Sequence, residues 1–223
     1  MRAGTDMDKS FKRQIFPWFL FVSFLLAVSG CAAQKPIPSG FLGDYSSFTQ
    51  EESDGVEGLY CQKHPKKDLG QYSRFIVDPV IIHLRPEVEV DEYKVTAEEL
   101  KELADCFRNE VVAVLKDGYA VVKKPGVGGV IRLRIAITDV EPNTPFLNVH
   151  WVTSLPGMGL GGASMEAEFI DTQSGERIFA FIDSRKGKRY KKIKGLTRWG
   201  HSKDIFKQWA NLIRERIDCH HGK

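Results

Sequence analysis

Apolar positions recur along the chain with two periods, and the switches between them mark the elements. Leu100, Leu103, Ala104, Phe107, Val111 and Leu115 return at helical spacing, behind a Thr96/Glu99 capping box and ahead of the stop at Gly118. Ser202 opens a second such run, with Ile205, Phe206, Trp209, Leu212, Ile213 and Ile217 on one face. Ile131, Leu133, Ile135 and Ile137 alternate with Arg132, Arg134 and Ala136, which predicts a half-buried strand. Met165, Ala167 and Phe169 alternate with Glu166, Glu168 and Ile170. A turn at 171–176 and a return over 177–183 then complete a predicted hairpin. Its outer acids would pair with Arg132 and Arg134 if the strands are neighbours. Phe75-Ile76-Val77 and Val80-Ile81-Ile82 flank Asp78-Pro79. Proline cannot donate to a ladder, so this strand belongs at an edge or bulges at Pro79. A short strand at 119–122 ends at the loop Pro125-Gly126-Val127-Gly128-Gly129, and residues 142–163 follow no period. The order predicts an α+β domain, a two-layer αβ sandwich. Its sheet is mostly antiparallel with about five strands, and two amphipathic helices cover one face. The other face is expected to meet water or a partner.

The amino-terminal thirty-one residues follow a different logic. Lys9, Lys12 and Arg13 precede an apolar run of fourteen residues from Ile15 to Val28. A helix needs roughly 20 residues to cross a bilayer core. A positive collar, a short apolar run and small residues after it mark a secretory signal peptide over residues 1–30. Its end, Val28-Ser29-Gly30-Cys31, resembles the bacterial lipobox. That resemblance implies cleavage between Gly30 and Cys31 and acylation of the Cys31 thiol, so the mature protein would sit on a membrane without spanning it. Ala32 and Ala33 follow the cysteine in place of aspartate, which favours the outer membrane of a Gram-negative host. Residues 31–58 are expected to be a tether. Phe41, Leu42, Tyr45 and Phe48 are too aromatic for a plain spacer and would lie as an arm against a single domain over 59–223.

Composition and charge narrow the partners. The chain has 223 residues with 32 basic and 29 acidic side chains. Removing residues 1–30 leaves 28 against 27, so the mature protein is nearly neutral and nucleic acid is not an expected partner. The basic excess is local: Arg185, Lys186, Lys188, Arg189, Lys191, Lys192, Lys194 and Arg198 fall within fourteen residues, with Tyr190 and Trp199 among them. Such a segment suits lipid phosphate, an anionic envelope polymer or an acidic envelope protein, and equally suits a solvated connector. Gly157-Met158-Gly159-Leu160-Gly161-Gly162 lacks the lysine of a phosphate loop. With Phe146, Val149, Trp151, Val152 and Leu155 upstream it is either a plain loop or an apolar flap for a partner.

Several stretches resemble a known family. Ser39-Gly40-Phe41-Leu42-Gly43-Asp44-Tyr45 after the lipobox is similar to its opening, and Asp68-Leu69-Gly70-Gln71-Tyr72 with Phe75-Ile76-Val77-Asp78-Pro79-Val80 to its first strand. The run from Arg132 to Pro142 resembles its middle. Glu166-Ala167-Glu168-Phe169-Ile170-Asp171 with Gly175-Glu176-Arg177 resembles its hairpin. The family is the bacterial lipoproteins of domain of unknown function 3313, matched over about residues 39–183. It implies an envelope lipoprotein with no established activity and no catalytic residues to carry over.

Motifs for chemistry are sparse. G-x-S-x-G, H-E-x-x-H, C-x-x-C and G-x-x-x-x-G-K-[ST] are all missing from the sequence. Asp78, Asp139, Asp171 and Asp183 fall near strand ends, where carboxylates serve either acid–base chemistry or turns. Cys219-His220-His221, with His201, offers metal-ligand atoms at the carboxyl terminus, where a defined site is not expected. Cys61, Cys106 and Cys219 permit at most one bridge in an oxidising compartment. The expectation is a non-enzymatic binding or assembly accessory of the cell envelope without a cofactor or metal. The alternatives are an envelope hydrolase or transferase with its site at the strand ends, and a purely structural lipoprotein.

Overall fold

The computed structural model describes residues 38–51, 59–84, 95–126, 128–141, 162–186 and 197–223. In chain order these form β1 (Thr49–Gln50), β2 (Tyr60–Lys63), a 3₁₀ turn (Leu69–Gln71), β3 (Arg74–Val77), β4 (Ile81–Ile82) and α1 (Ala97–Lys116). There follow β5 (Ala120–Val121), β6 (Val130–Glu141), β7 (Gly162–Asp171), β8 (Arg177–Lys186) and α2 (Gly200–His220). The Thr96 hydroxyl accepts from the Glu99 backbone and the Glu99 carboxylate accepts from the Thr96 N–H, so the capping box forms as the sequence predicts. Gly118 follows α1 with φ of 106°, a left-handed conformation that stops the helix at little steric cost. Arg214 of α2 then reaches across to the carbonyls of Val114 and Asp117, satisfying acceptors left open at the end of α1.

The sheet departs from the expected five mostly antiparallel strands. Eight strands pair in the order β1-β2-β8-β7-β6-β3-β5, with β4 also beside β6. β6, β7, β8, β2 and β1 are antiparallel, whereas β3 is parallel to both β5 and β6, and β4 is parallel to β6. β1, β4 and β5 have two residues each, too few to carry a period of two. The parallel pairing of β3 with β5 follows from α1, which serves as the crossover that parallel strands require. The apolar run through Pro79 is not one bulged strand: β3 stops at Val77 and β4 resumes at Ile81. The sheet also takes in Thr49 and Gln50, which pair with Cys61 and Tyr60.

One sheet face packs on both helices. Ile131, Leu133, Ile135, Met165, Ala167, Phe169, Phe179 and Phe181 meet Leu103, Phe107, Val111, Phe206, Trp209 and Ile213 in one buried cluster. Phe107 stacks on Phe206 at 5.0 Å between ring centroids, and Trp209 stacks on Phe206 and tilts against Phe107. Gly70 lies so close to the His220 carbonyl that a Cβ there would overlap it, which ties the 3₁₀ turn to the last turn of α2.

The opposite face is covered in part, although Arg132 and Arg134 on it stay half exposed. Glu166 and Glu168, expected to be outward and solvated, are 0% and 3% exposed. The reason is the amino-terminal arm, which lies over them.

Candidate functional site

Glu166 stands on β7 with its side chain on the face away from the helices, and its two oxygens are both taken by the arm. The Ser39 N–H donates to Oε1 at 2.8 Å and the Tyr45 hydroxyl donates to Oε2 at 2.6 Å. The same tyrosine oxygen accepts from Gly40 and Leu42 N–H, so one side chain gathers the arm's backbone while its O–H donates to the carboxylate. Burial, and then the neighbouring Glu166 carboxylate, raise the Tyr45 pKa above the ordinary phenol value.

A second strap point lies next to it. Arg177 donates to the Leu42 carbonyl at 2.5 Å, to Glu168 at 2.8 Å and to Gln62 at 3.0 Å. Glu168 also receives Arg134 at 2.6 Å, so a buried carboxylate sits between two guanidiniums. The expected pairing of Arg134 with the acids of the hairpin is thus present, while Arg132 turns to Asp78 at 3.5 Å. Leu42 is 3% exposed in a cup of Tyr60, Ala180 and Ile182. Phe41 stacks under the Arg134 guanidinium at 5.1 Å and against the His83 ring. The sequence carried one signal of this seat, the aromatic residues inside a tether; nothing in the alternation of β7 distinguishes a buried glutamate from a solvated one.

The eight cations of segment 185–198 fare differently. Arg185 is committed inside the fold, donating to Asp183 at 2.6 Å and to Gln208 at 3.2 Å. Arg198 pairs with Glu99 at 3.0 Å and stacks on Trp199. Lys186 is the last residue of β8. Lys188, Arg189, Lys191, Lys192 and Lys194 lie outside the described residues, as do Gly30, Cys31 and the expected flap around 146–162 except Gly162, which opens β7. Topology nonetheless fixes where these stretches are attached. Glu141 pairs with Gly162, and Gly162 pairs with Lys186, so β6 ends, β7 begins and β8 ends at one edge of the sheet. The amino terminus of α2 is at that same end, beside Glu99 of the first turn of α1.

The carboxylates suspected of acid–base chemistry are not brought together. Asp171 caps the β7–β8 turn, accepting from the Gln173 N–H and the Ser174 hydroxyl. Burial alone would raise its pKa, but those bonds with Lys67 and Tyr72 hold the carboxyl below its ordinary value. Asp139 lies at a register shift near the far end of β6. Asp183 is 0% exposed on the helix side of β8, accepting from the Trp209 indole at 2.7 Å. Ser174 and Lys67 are 3.1 Å apart, the atoms of a serine–lysine pair. Glu176, and then Asp171, raise the pKa of that lysine, so its proton is retained and the amine is no base.

The carboxyl-terminal residues serve packing. His220 meets Asp68 at 2.5 Å and His221 contacts the Tyr72 carbonyl at 3.0 Å. Among the described residues no three His, Cys, Asp or Glu side chains cluster to hold a metal ion. Cys61, Cys106 and Cys219 are all free thiols. Cys61 is buried, and its pKa is pushed up to about 12 by burial and then by Glu51. Cys219 should therefore label first with a maleimide, Cys106 more slowly, and Cys61 only on unfolding. Mass spectrometry of native and urea-treated protein checks the order, and early labelling of Cys61 would contradict it.

The family described as Protein of unknown function (DUF3313) matches residues 38–213. The chain belongs to that family. The DUF3313 match begins where the arm begins and ends inside α2, so it takes in the arm, the sheet, the segment 185–198 and both helices. It therefore runs past the hairpin, where the resemblance in the sequence stopped. No curated protein sequence matches the chain. Three solved structures are similar at low identity. A PelC dodecamer from Paraburkholderia phytofirmans is 12% identical over 71% of this chain and 95% of that one, with TM-score 0.39. The hypothetical protein CT253 from Chlamydia trachomatis is 11% identical over 66% and 99%, with TM-score 0.39. Protein XCC0632 from Xanthomonas campestris is 9% identical over 70% and 93%, with TM-score 0.38.

Proposed function

We propose that this protein is a cell-envelope lipoprotein, anchored through acylated Cys31 to the outer membrane of a Gram-negative bacterium. In this reading it has no catalytic activity, and one end of its domain serves as a binding surface for an anionic envelope partner. The observation that supports the reading is topological. The connection 142–161, with its apolar flap residues, and the connection 187–196, with five of the cations, are both attached at the end where β6, β7 and β8 meet. The arm ties on at Glu166, four residues from Gly162 and so about 13 Å from that end. The attachment points of these two connections and the seat of the arm therefore lie toward the same end of the domain. Each cation near an anionic surface contributes about 1 kcal/mol and acts over roughly a Debye length.

The test uses the full chain in its native host. Replacing Lys188, Arg189, Lys191 and Lys192 by glutamine should deplete crosslinked and co-purified partners while leaving the circular dichroism spectrum and membrane fractionation unchanged. Cys31→Ala should move the protein out of the membrane fraction. An unaltered set of partners in the quadruple variant removes the binding reading. Membrane retention of Cys31→Ala removes the lipid anchor.

A further inference from the structure

We propose that residues 38–48 form a releasable strap, so that the tether from Cys31 has two lengths; the second half of this rests on the acylation of Cys31 proposed above. The strap is fastened differently from everything around it. From Ser39 to Phe48 the bonds to the domain run to side chains, namely Glu166 and Arg177. The backbone bonds Gly43–Gly40 and Phe48–Tyr45 stay within the arm itself. Ladder pairing starts only at Thr49. The segment can therefore leave without opening a strand, as a local unit of lower stability than the sheet.

The seat is built for this. With the strap gone, Glu168 keeps Arg134 and Arg177, and Arg177 keeps Gln62. Glu166 loses both the Ser39 and the Tyr45 donor and passes from full burial to water. Glu166 is thus the pin: the other charged groups of the seat stay matched, and release otherwise uncovers the apolar cup of Tyr60, Ala180 and Ile182. From Cys31 to a fastened Ser39 the chain is eight residues, at full extension about 27 Å. Released as far as Thr49 it spans eighteen residues and about 60 Å. The binding end is then either held at the leaflet or able to reach well beyond it.

Hydrogen–deuterium exchange on the full-length protein in phosphatidylcholine vesicles tests this, with Tyr45→Phe and Ser39→Pro as variants; the second removes the N–H donor without touching the sheet. Amides of 39–48 should exchange about tenfold faster than those of β7 in the native protein, and about tenfold faster again in either variant, while β6, β7 and β8 stay protected. Energy transfer from a dye on Cys219 to acceptor lipid should weaken in both variants. Arm amides that exchange at the rate of β7, or at the rate of an unstructured peptide, overturn the strap. So do variants that lose protection across the sheet. Faster arm exchange with unchanged energy transfer overturns the two lengths. A chain that never associates with vesicles sinks the acylation reading instead, and exchange still decides the strap.

Discussion

Asp183→Ala is expected to lose about 3–5 kcal/mol of stability, read as a fall in the urea midpoint with unchanged slope. Asp183 is completely buried between β8 and α2 and answers two donors at once, the Arg185 guanidinium at 2.6 Å and the Trp209 indole at 2.7 Å. Truncation leaves a guanidinium with 16% side-chain exposure beside an empty position, its remaining acceptor among the described residues being Gln208. It also strands an indole N–H inside the core. Asp183→Asn should cost less, because the amide oxygen still accepts from Trp209. A loss below about 1 kcal/mol for the alanine variant would mean that water reaches Arg185 and that the ion pair matters little.

Phe107→Ala should be comparably damaging, again about 3–5 kcal/mol by urea titration. Phe107 is fully buried on α1, stacked on Phe206 at 5.0 Å and 5.6 Å from Trp209. These three rings form much of the contact between the two helices, and both helices lean on the same sheet face. A cavity there cannot be closed by one helix shifting, because Arg214 pins the end of α1 to α2 and the 3₁₀ turn is pressed against the carboxyl end of α2. Phe107→Leu should recover a large part of the loss by refilling volume. A small effect of the alanine change would show that the helices repack freely.

The helices and the long strands were legible because each carries a full stripe: α1 and α2 repeat their apolar face over about three to four turns, and β6 alternates over most of its length. The two-residue strands were not legible, since β1, β4 and β5 are defined by their partners and have no pattern of their own. Asp183 was misjudged as a strand-end residue although its parity with Phe179 and Phe181 assigns it to the core face. Glu166 is the harder case. Its burial depends on a segment more than a hundred residues away, and a local alternation of apolar and acidic residues holds no record of that. The aromatic residues of the arm said that something would be covered; the carboxylate that receives them was not written in the same stretch.

The two rims of the sheet carry one last consequence. Among the described residues the outermost strands are β1 on one rim and β5 with β4 on the other, each of two residues. Molecules confined to a leaflet collide often and in similar orientations, conditions under which long exposed rims would join copy to copy. If the proposed anchor holds the chain at a lipid surface, outermost strands this brief would offer little template for such growth there.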